Sequence, residues 1–276
     1  MEIFLTVILI IAAILALYIT VATYTVKIKK IPISSPKIPK EFDGRKIALL
    51  SDLHDEKLSG FSKKKLLEKT SETKPDWIFL GGDMHEIREK DEKFFSLLDD
   101  LKKIAPLCYV DGNHDARLRK YPDYKNYVAE LEKRVENLHG KTSLCIGNEK
   151  IDLYGCGYFE YKKDMFDFDK NRFSVFLYHS PFVFDDFENP PDLMISGHIH
   201  GGVIELPFIG AVFAPADGKP LFARLQRQYL LPKYYKNTYE RNGGTLVVGR
   251  GIGNFKRIPW RLIPPEIVEI TLCHKD

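Results

Sequence analysis

Five short stretches of the chain concentrate side chains able to bind a metal or move a proton. They are Asp52-Leu53-His54, Gly82-Asp83, Gly112-Asn113-His114-Asp115, His179, and Gly197-His198-Ile199-His200-Gly201-Gly202. Together they offer three carboxylates, one amide and five of the eight imidazoles in the chain. Oxygen and nitrogen donors without a thiolate suit Mn, Fe or Zn rather than calcium or an iron–sulfur cluster. The D-x-H and H-x-H spacings put both members of each pair on one face of an extended segment. The flanking glycines remove Cβ bulk where backbone must pass close to an ion. D-x-H or G-D alone says little. All five pieces in order, each ending a strand-like run, form a specific signal.

The elements that would position these residues can be read from the apolar pattern. Lys46–Leu50, Trp77–Leu80 and Leu107–Val110 are short apolar runs that end directly at the first three stretches. Between them, Ser62–Thr73, Asp91–Lys103 and Tyr124–Leu138 have amphipathic spacing, with Ser62 as an expected N-cap and Gly140 as an expected C′ residue. The second half is richer in strands, expected at Thr142–Ile146, Ile151–Tyr154, Ser174–Tyr178, Leu193–Ile195, Val203–Leu206, Thr245–Val248 and Ile267–Leu272. His179 ends one of these strands and Gly197–Gly202 follows another. Ligands of open α/β sheets gather at strand C-termini, so the repeated polar residues there are the informative ones.

The ordered set D-x-H, G-D, G-N-H-D, H and G-H-x-H resembles the calcineurin-like metallophosphoesterase superfamily. Three later stretches are similar to its membrane-associated bacterial branch. These are Gly201 to Phe208, then Gly249-Arg250-Gly251-Ile252-Gly253, then Pro264-Pro265-Glu266-Ile267. The resemblance runs from about Arg45 to Leu272. It implies an α/β fold, a four-layer αββα sandwich of two mixed sheets flanked by helices. It also implies hydrolysis of phosphoester or pyrophosphate bonds with two divalent metal ions, Mn, Fe or Zn. Carried over residue by residue, Asp52, His54 and His200 hold one ion. Asn113, His179 and His198 hold the other, and Asp83 bridges them. His114 sits beside the reacting phosphate as a catalytic group, with Asp115 behind it. A hydroxide between the ions attacks phosphorus in line, and His114 donates a proton to the leaving alkoxide.

Outside these motifs, each feature has a plain reading beside a functional one. Arg117 and Arg119 could bind a second phosphate bidentately, or simply open a solvated helix. His85 and Glu86 could approach the substrate or belong to a surface loop. Lys219–Arg241 interleaves basic and aromatic residues and could lie on a membrane, or be a solvated connection. Ser180 follows His179 without the third carboxylate that a serine hydrolase would need. The acidic-aromatic run Asp164–Lys170 carries no assignment.

The N-terminus is a different kind of segment. No charged residue stands between Ile3 and Val26. As a helix this run would measure roughly 36 Å, enough to cross a hydrocarbon core of about 30 Å. A cleaved export signal would have a basic leader, and only Glu2 precedes the run. A retained single-pass anchor over residues 1–26 is the expectation. Pro32, Ser34, Ser35, Pro36 and Pro39 suggest an irregular linker over residues 27–44, leaving 45–276 as one phosphoesterase domain. Lys27, Lys29, Lys30, Lys37 and Lys40 all lie after the span, which places the catalytic domain in the cytoplasm by positive-inside reasoning.

Composition agrees with this division. The chain has 276 residues, 44% apolar and 29% charged, which excludes a disordered polymer. Four cysteines without C-x-x-C spacing exclude a disulfide-stapled miniprotein and a zinc knuckle, and read mostly as small buried apolar residues. A net charge of +3 without a visible basic groove gives no electrostatic argument for a nucleic-acid partner. The expected partners are the lipid bilayer and a phosphoester substrate, which an anchored enzyme would meet in lipid-linked form. The alternatives are a tethered phosphodiesterase acting on soluble substrates and a metal-binding scaffold without catalysis. His114 argues against the scaffold, because a binding-only site has no use for an unligated imidazole.

Overall fold

Apolar residues on both faces of a short strand call for cover on both sides, and the fold supplies it. In Lys46–Leu50, Ile47 and Leu49 point one way and Ala48 and Leu50 the other, and all four are buried. Ile47 and Leu49 enter a core shared with a second sheet, while Ala48 and Leu50 enter a core made with helices.

The computed structural model describes residues 2–54, 63–86, 90–202, 205–206, 210–212, 231–253 and 262–276. In chain order the elements are α1 (Glu2–Tyr24), β1 (Lys27–Ser35), β2 (Lys46–Leu50), α2 (Lys63–Glu72), β3 (Trp77–Leu80), α3 (Asp91–Lys102) and β4 (Leu107–Tyr109). There follow α4 (Tyr124–Glu132), β5 (Glu136–Asn137), β6 (Gly140–Ile146), β7 (Glu149–Gly155), β8 (Ser174–Leu177), β9 (Leu193–Ser196) and β10 (Glu205–Leu206). The last are β11 (Gly210–Ala211), β12 (Asn237–Arg241), β13 (Gly244–Val248) and β14 (Glu266–His274).

Two six-stranded mixed sheets result, in the orders β1-β14-β2-β3-β4-β5 and β12-β13-β9-β8-β7-β6. In the first, β2, β3, β4 and β5 are parallel, as the intervening helices require. In the second, β7, β8, β9 and β13 are parallel. The sheets face each other across Leu49, Phe79, Val175, Leu177, Ile195 and Val268. Helices α2, α3 and α4 cover the outer face of the first sheet through Leu66, Phe94, Leu98 and Leu131. The outer face of the second carries the short 3-10 helix Pro181–Asp186 and an aromatic cluster of Tyr154, Phe168, Phe176, Tyr178 and Phe187. The acidic-aromatic run thus has a packing role, since Phe166 and Phe168 lie against Phe176.

Three expectations are corrected. Residues 27–44 are not an irregular linker. Lys27–Ser35 forms β1, an edge strand pairing in parallel with the whole length of β14. Its Ile31 and Ile33 are buried in the inter-sheet core, while exposed Lys27, Lys29, Lys30 and Pro32 discourage a further strand from adding to the edge. The prolines disguised a strand because an edge strand needs only one side of its backbone for pairing. The third helix stops at Glu132 rather than Leu138, because Glu136–Asn137 pairs with β4. Gly140, with φ 145°, opens β6 instead of capping a helix. The N-cap expected at Ser62 lies outside the described residues.

Helix α1 turns apolar side chains outward all round. Ile3, Phe4, Leu9, Ile14 and Leu17 are exposed, and a helix apolar on every face is suited to lipid. Ile3–Tyr24 is long and apolar enough to cross a membrane.

If β1 is part of the core, Ile31→Ala and Ile33→Ala should each lower the unfolding free energy by about 2–5 kcal/mol. Lys30→Ala, on the opposite and exposed face of the strand, should change it by less than about 0.5 kcal/mol. Urea denaturation of the full chain in detergent measures both, and a true linker would show three equal, negligible effects.

Candidate metal centre

The parallel strands of both sheets deliver their C-terminal ends to one place. Asp52 and His54 follow β2, Asp83 follows β3, and Asn113 and His114 follow β4. His179 follows β8, and His198 and His200 follow β9. None of these eight is more than 7% exposed.

The backbone bends sharply to present them. Asp52, His54, Asp83, His198 and His200 all have positive φ, between 45° and 73°. They are half of the ten such non-glycine residues among those described. Each left-handed residue costs of order 1–3 kcal/mol, less for Asp and His than for bulkier types, and strain of this kind gathers at functional sites. Backbone bonds hold the turns. Asp52 N–H donates to Gly82 O (2.9 Å), His54 N–H to Asp83 O (3.1 Å), and Gly197 N–H to His179 O (3.1 Å).

The side chains form two adjoining donor groups. In one, His54 Nε2 and His200 Nε2 stand 3.2 Å apart, and His200 Nε2 is 3.5 Å from Asp52 Oδ1. In the other, His179 Nε2 is 3.1 Å from His198 Nδ1 and 3.3 Å from Asp83 Oδ2. Imidazole nitrogens this close share either a proton or a cation. Within each group the donor atoms lie within 4.8 Å of one another, a spread that suits one ion. Asp83 Oδ2 is also 4.0 Å from the Nε2 atoms of both His54 and His114, so it lies between the groups.

Neighbouring bonds aim the donors. His179 Nδ1–H donates to Gly81 O at 2.8 Å, which leaves Nε2 free to bind a metal. Asp83 Oδ1 accepts His114 N–H at 2.7 Å, and Asp52 accepts His198 N–H at 3.0 and 3.1 Å. Gly112 sits so close that a Cβ there would lie 2.1 Å from Asp83 Oδ1. The potential is negative. Burial works against a charged His179, yet Asp83 and Asp52 outweigh it and push the imidazole up to about 9. Burial likewise opposes ionisation of Asp83, but His179 holds it well below the usual carboxylate range. A pocket that charges its own histidines is one that attracts cations. The oxygen and nitrogen donors therefore fit divalent ions.

The other expected site residues divide. Arg117 reaches the site, its Nη1 lying 3.2 Å from His114 Nδ1. Arg119 does not serve as a substrate clamp. Its guanidinium is committed to Asp111 (2.9 Å) and Glu160 (2.8 Å). Asp115, expected behind His114, is buried directly after it. Its carboxylate accepts the backbone N–H groups of Met84 (3.0 Å), His85 (2.7 Å) and Gly112 (2.8 Å), tying the β3 and β4 loops together. In the basic-aromatic segment, residues 219–230 lie outside the described residues. The described end is packed on protein: Tyr234 is buried, Lys233 pairs with Asp185, and Lys236 pairs with Glu205. Cys156, between two glycines after β7, is buried, and burial pushes its thiol up to about 12.

Glu86 is the site residue that sequence reasoning left undecided. One of its oxygens bonds His54 Nδ1 and the other lies 3.0 Å from His114 Nδ1. Burial opposes its charge, but these two imidazoles hold the carboxyl well below its ordinary value. His85 beside it turns away, bonded to Asp91 at 2.7 Å and stacked on Phe94. Residues one apart leave an extended segment on opposite sides, which is the signal that separates the two. Tyr158 adds an aromatic wall, its ring 5.8 Å from those of His179 and His198.

Residues 45–202 match the calcineurin-like phosphoesterase family, and they span every residue of both donor groups. The chain belongs to that family. Its relatives include the metallophosphoesterase YkuE of Bacillus subtilis, 31% identical across 87% of this chain and 83% of that one. The phosphodiesterase YaeI of Escherichia coli is 30% identical across 65% of this chain and 69% of that one. Among solved structures, TT1561 of Thermus thermophilus is similar with a TM-score of 0.43 at 14% identity, covering 75% of this chain and 90% of that one. This calcineurin-like chain is accordingly a metal-dependent phosphoesterase.

Two substitutions test the geometry. Gly112→Ala should displace Asp83 and deplete bound divalent metal, measured by elemental analysis of the purified protein. Glu86→Gln keeps the shape but removes the charge that steadies two imidazoles. It should lower kcat or metal affinity about 10–100-fold, with little change in melting temperature. Unaltered metal content and kcat would exclude these roles.

Proposed function

We propose that the chain hydrolyses phosphoester or pyrophosphate bonds with two divalent ions, Mn, Fe or Zn, in adjoining pockets. One pocket is Asp52, His54 and His200. The other is His179, His198 and Asn113, with Asp83 shared. The observation that carries this reading is the position of Asp83 Oδ2, within 4.0 Å of His54 Nε2 and 3.3 Å of His179 Nε2. Asn113 is buried directly before His114 and would add a neutral ligand, which keeps the pocket attractive to a phosphate anion. When bound, such ions polarise phosphoryl oxygens and lower the pKa of a water held between them.

The chain's own residues do the rest. Asp83 is oriented by the His114 amide so that one oxygen stays turned to both pockets. Glu86 steadies a positive charge on His114 through Nδ1, so that Nε2 can hand a proton to the leaving alkoxide. Arg117, beside His114 and exposed, would meet a phosphoryl oxygen. The strain in the left-handed ligand residues is held by the sheets before substrate arrives, so little reorganisation remains.

Helix α1 would anchor the enzyme as a single-pass membrane protein, with the catalytic domain on the cytoplasmic side to which the lysines after the span point. Its substrate would then be a phosphoester or pyrophosphate linked to lipid. A chromogenic phosphodiester assay tests the hydrolase itself. Turnover should require added Mn²⁺ and vanish with chelator. Asp83→Ala should lose both metal and turnover. His114→Ala should keep metal and lose about 10²–10⁴-fold in kcat. Full activity in either variant would overturn the assignment.

A further inference from the structure

The anchor does not hang from the domain on a flexible leash. Only Thr25 and Val26 separate the end of α1 from the start of β1. The last turns of α1 are docked on the domain. Ala22, Thr23 and Val26 are buried, Tyr18 Oη donates to Leu262 O (2.9 Å), and Lys65 Nζ donates to Tyr24 O (3.1 Å).

The docking point lies at the catalytic end of the sheet. β1 runs parallel to β14, which is antiparallel to β2, so β1 begins where β2 ends. Lys27 pairs with Glu266, which falls level with Ser51, two strand spacings or roughly 10 Å away. Two short paths link anchor and site. Leu262, which accepts the Tyr18 hydroxyl, precedes Ile263, whose side chain packs over Gly201 beside His200. Glu266 N–H donates to Gly251 O (3.1 Å), and Gly251 packs against Asp52.

The opposite side of the same mouth is suited to a lipid surface. Tyr158, which walls His179 and His198, is followed by Phe159, an exposed apolar ring at 66%. Lys162, Lys163 and Met165 follow it and are also exposed. An exposed apolar residue with adjacent cations is the composition that enters a headgroup layer over anionic lipid. The metal centre lies between this loop and the anchor.

We propose that the rigid α1–β1 junction sets the mouth of the metal centre against the bilayer, with Phe159 and its lysines as the second point of contact, so that the site takes phosphoesters presented at the lipid surface. This rests on the two-metal hydrolase reading and specifies the source of its substrate. A site held at headgroup height meets its substrate in the orientation the anchor dictates, and loses that advantage if the anchor is uncoupled.

The test uses the full chain with Mn²⁺ in vesicles of phosphatidylcholine and phosphatidylglycerol. Two p-nitrophenyl phosphodiesters with the same scissile bond are compared, one water-soluble and one carrying a hexadecyl chain in the vesicle. A Gly/Ser insert of about twelve residues between Tyr24 and Thr25, spanning roughly 20 Å, uncouples the domain without touching β1. The insert should leave turnover of the soluble diester within about twofold and lower that of the vesicle-borne diester at least tenfold. Equal retention of both activities would overturn the pose and leave the hydrolase reading standing. No turnover of either diester by the unaltered chain would overturn both. Labelling gives a readout independent of activity. A fluorophore on Phe159→Cys, in a Cys145→Ser background, should be quenched by lipids carrying a headgroup nitroxide. One on the native Cys145, exposed at the far end of β6, should not be. Equal quenching at both positions would also overturn the pose.

Discussion

Two carboxylates buried side by side govern this structure. Asp52 is fully buried and Asp83 is 2% exposed. Removing an ionised carboxylate from water is expensive unless charge and hydrogen bonds replace what is lost. Backbone supplies part of the replacement, through the His198 amide on Asp52 and the His114 amide on Asp83. Imidazoles supply the rest, and the two acids respond differently. Burial pushes the Asp52 carboxyl up despite nearby histidines, while His179 keeps Asp83 low. A pair so placed stores negative potential, and cations relieve it.

The sandwich is an answer to that demand. A carboxylate can be buried only if partners arrive from several directions, and a single sheet offers one line of strand ends. Two sheets packed face to face offer two lines. The first contributes both carboxylates and His54, and the second contributes His179, His198 and His200. The glycines keep the approach close. A Cβ at Gly82 would lie 2.5 Å from His179 Nδ1, and one at Gly197 would lie 2.5 Å from Asp52 Oδ2. The inter-sheet core therefore serves the site directly, because any change in sheet separation moves one half of each donor group relative to the other.

Much of this was legible in the sequence because it is local. Polar residues directly after apolar runs marked Asp52, Asp83, His114, His179 and His198, and a strand such as Trp77–Leu80 has the bounds its composition suggests. What was not legible depends on long-range pairing. Nothing in K-I-K-K-I-P-I-S-S announces a strand, because its partner lies more than two hundred residues away. Asp115 read as catalytic from its place beside His114, which did not announce the backbone amides of the neighbouring loop that its carboxylate faces. Arg119 could have been a phosphate clamp or a solvated residue on sequence alone, and neither reading foresaw Glu160, in the turn after β7, taking its guanidinium. Glu86 had the right position but no motif. Its value comes from two imidazoles that arrive from β2 and β4.

The strand that was hidden also joins the apolar helix α1 to the catalytic domain. Without β1, β14 would be an exposed edge of nine residues, a template for unwanted pairing. β1 covers that edge, sends Ile31 and Ile33 into the core, and leaves lysines on the outside. Because its pairing with β14 is parallel, it must start at the catalytic end of the sheet, and whatever precedes it is carried there too. An antiparallel β1 would have put α1 at the far end, away from Asp52. The direction of one edge strand thus decides which face of the domain meets the apolar helix, and the residues that protect the sheet are the same ones that fix where that helix sits.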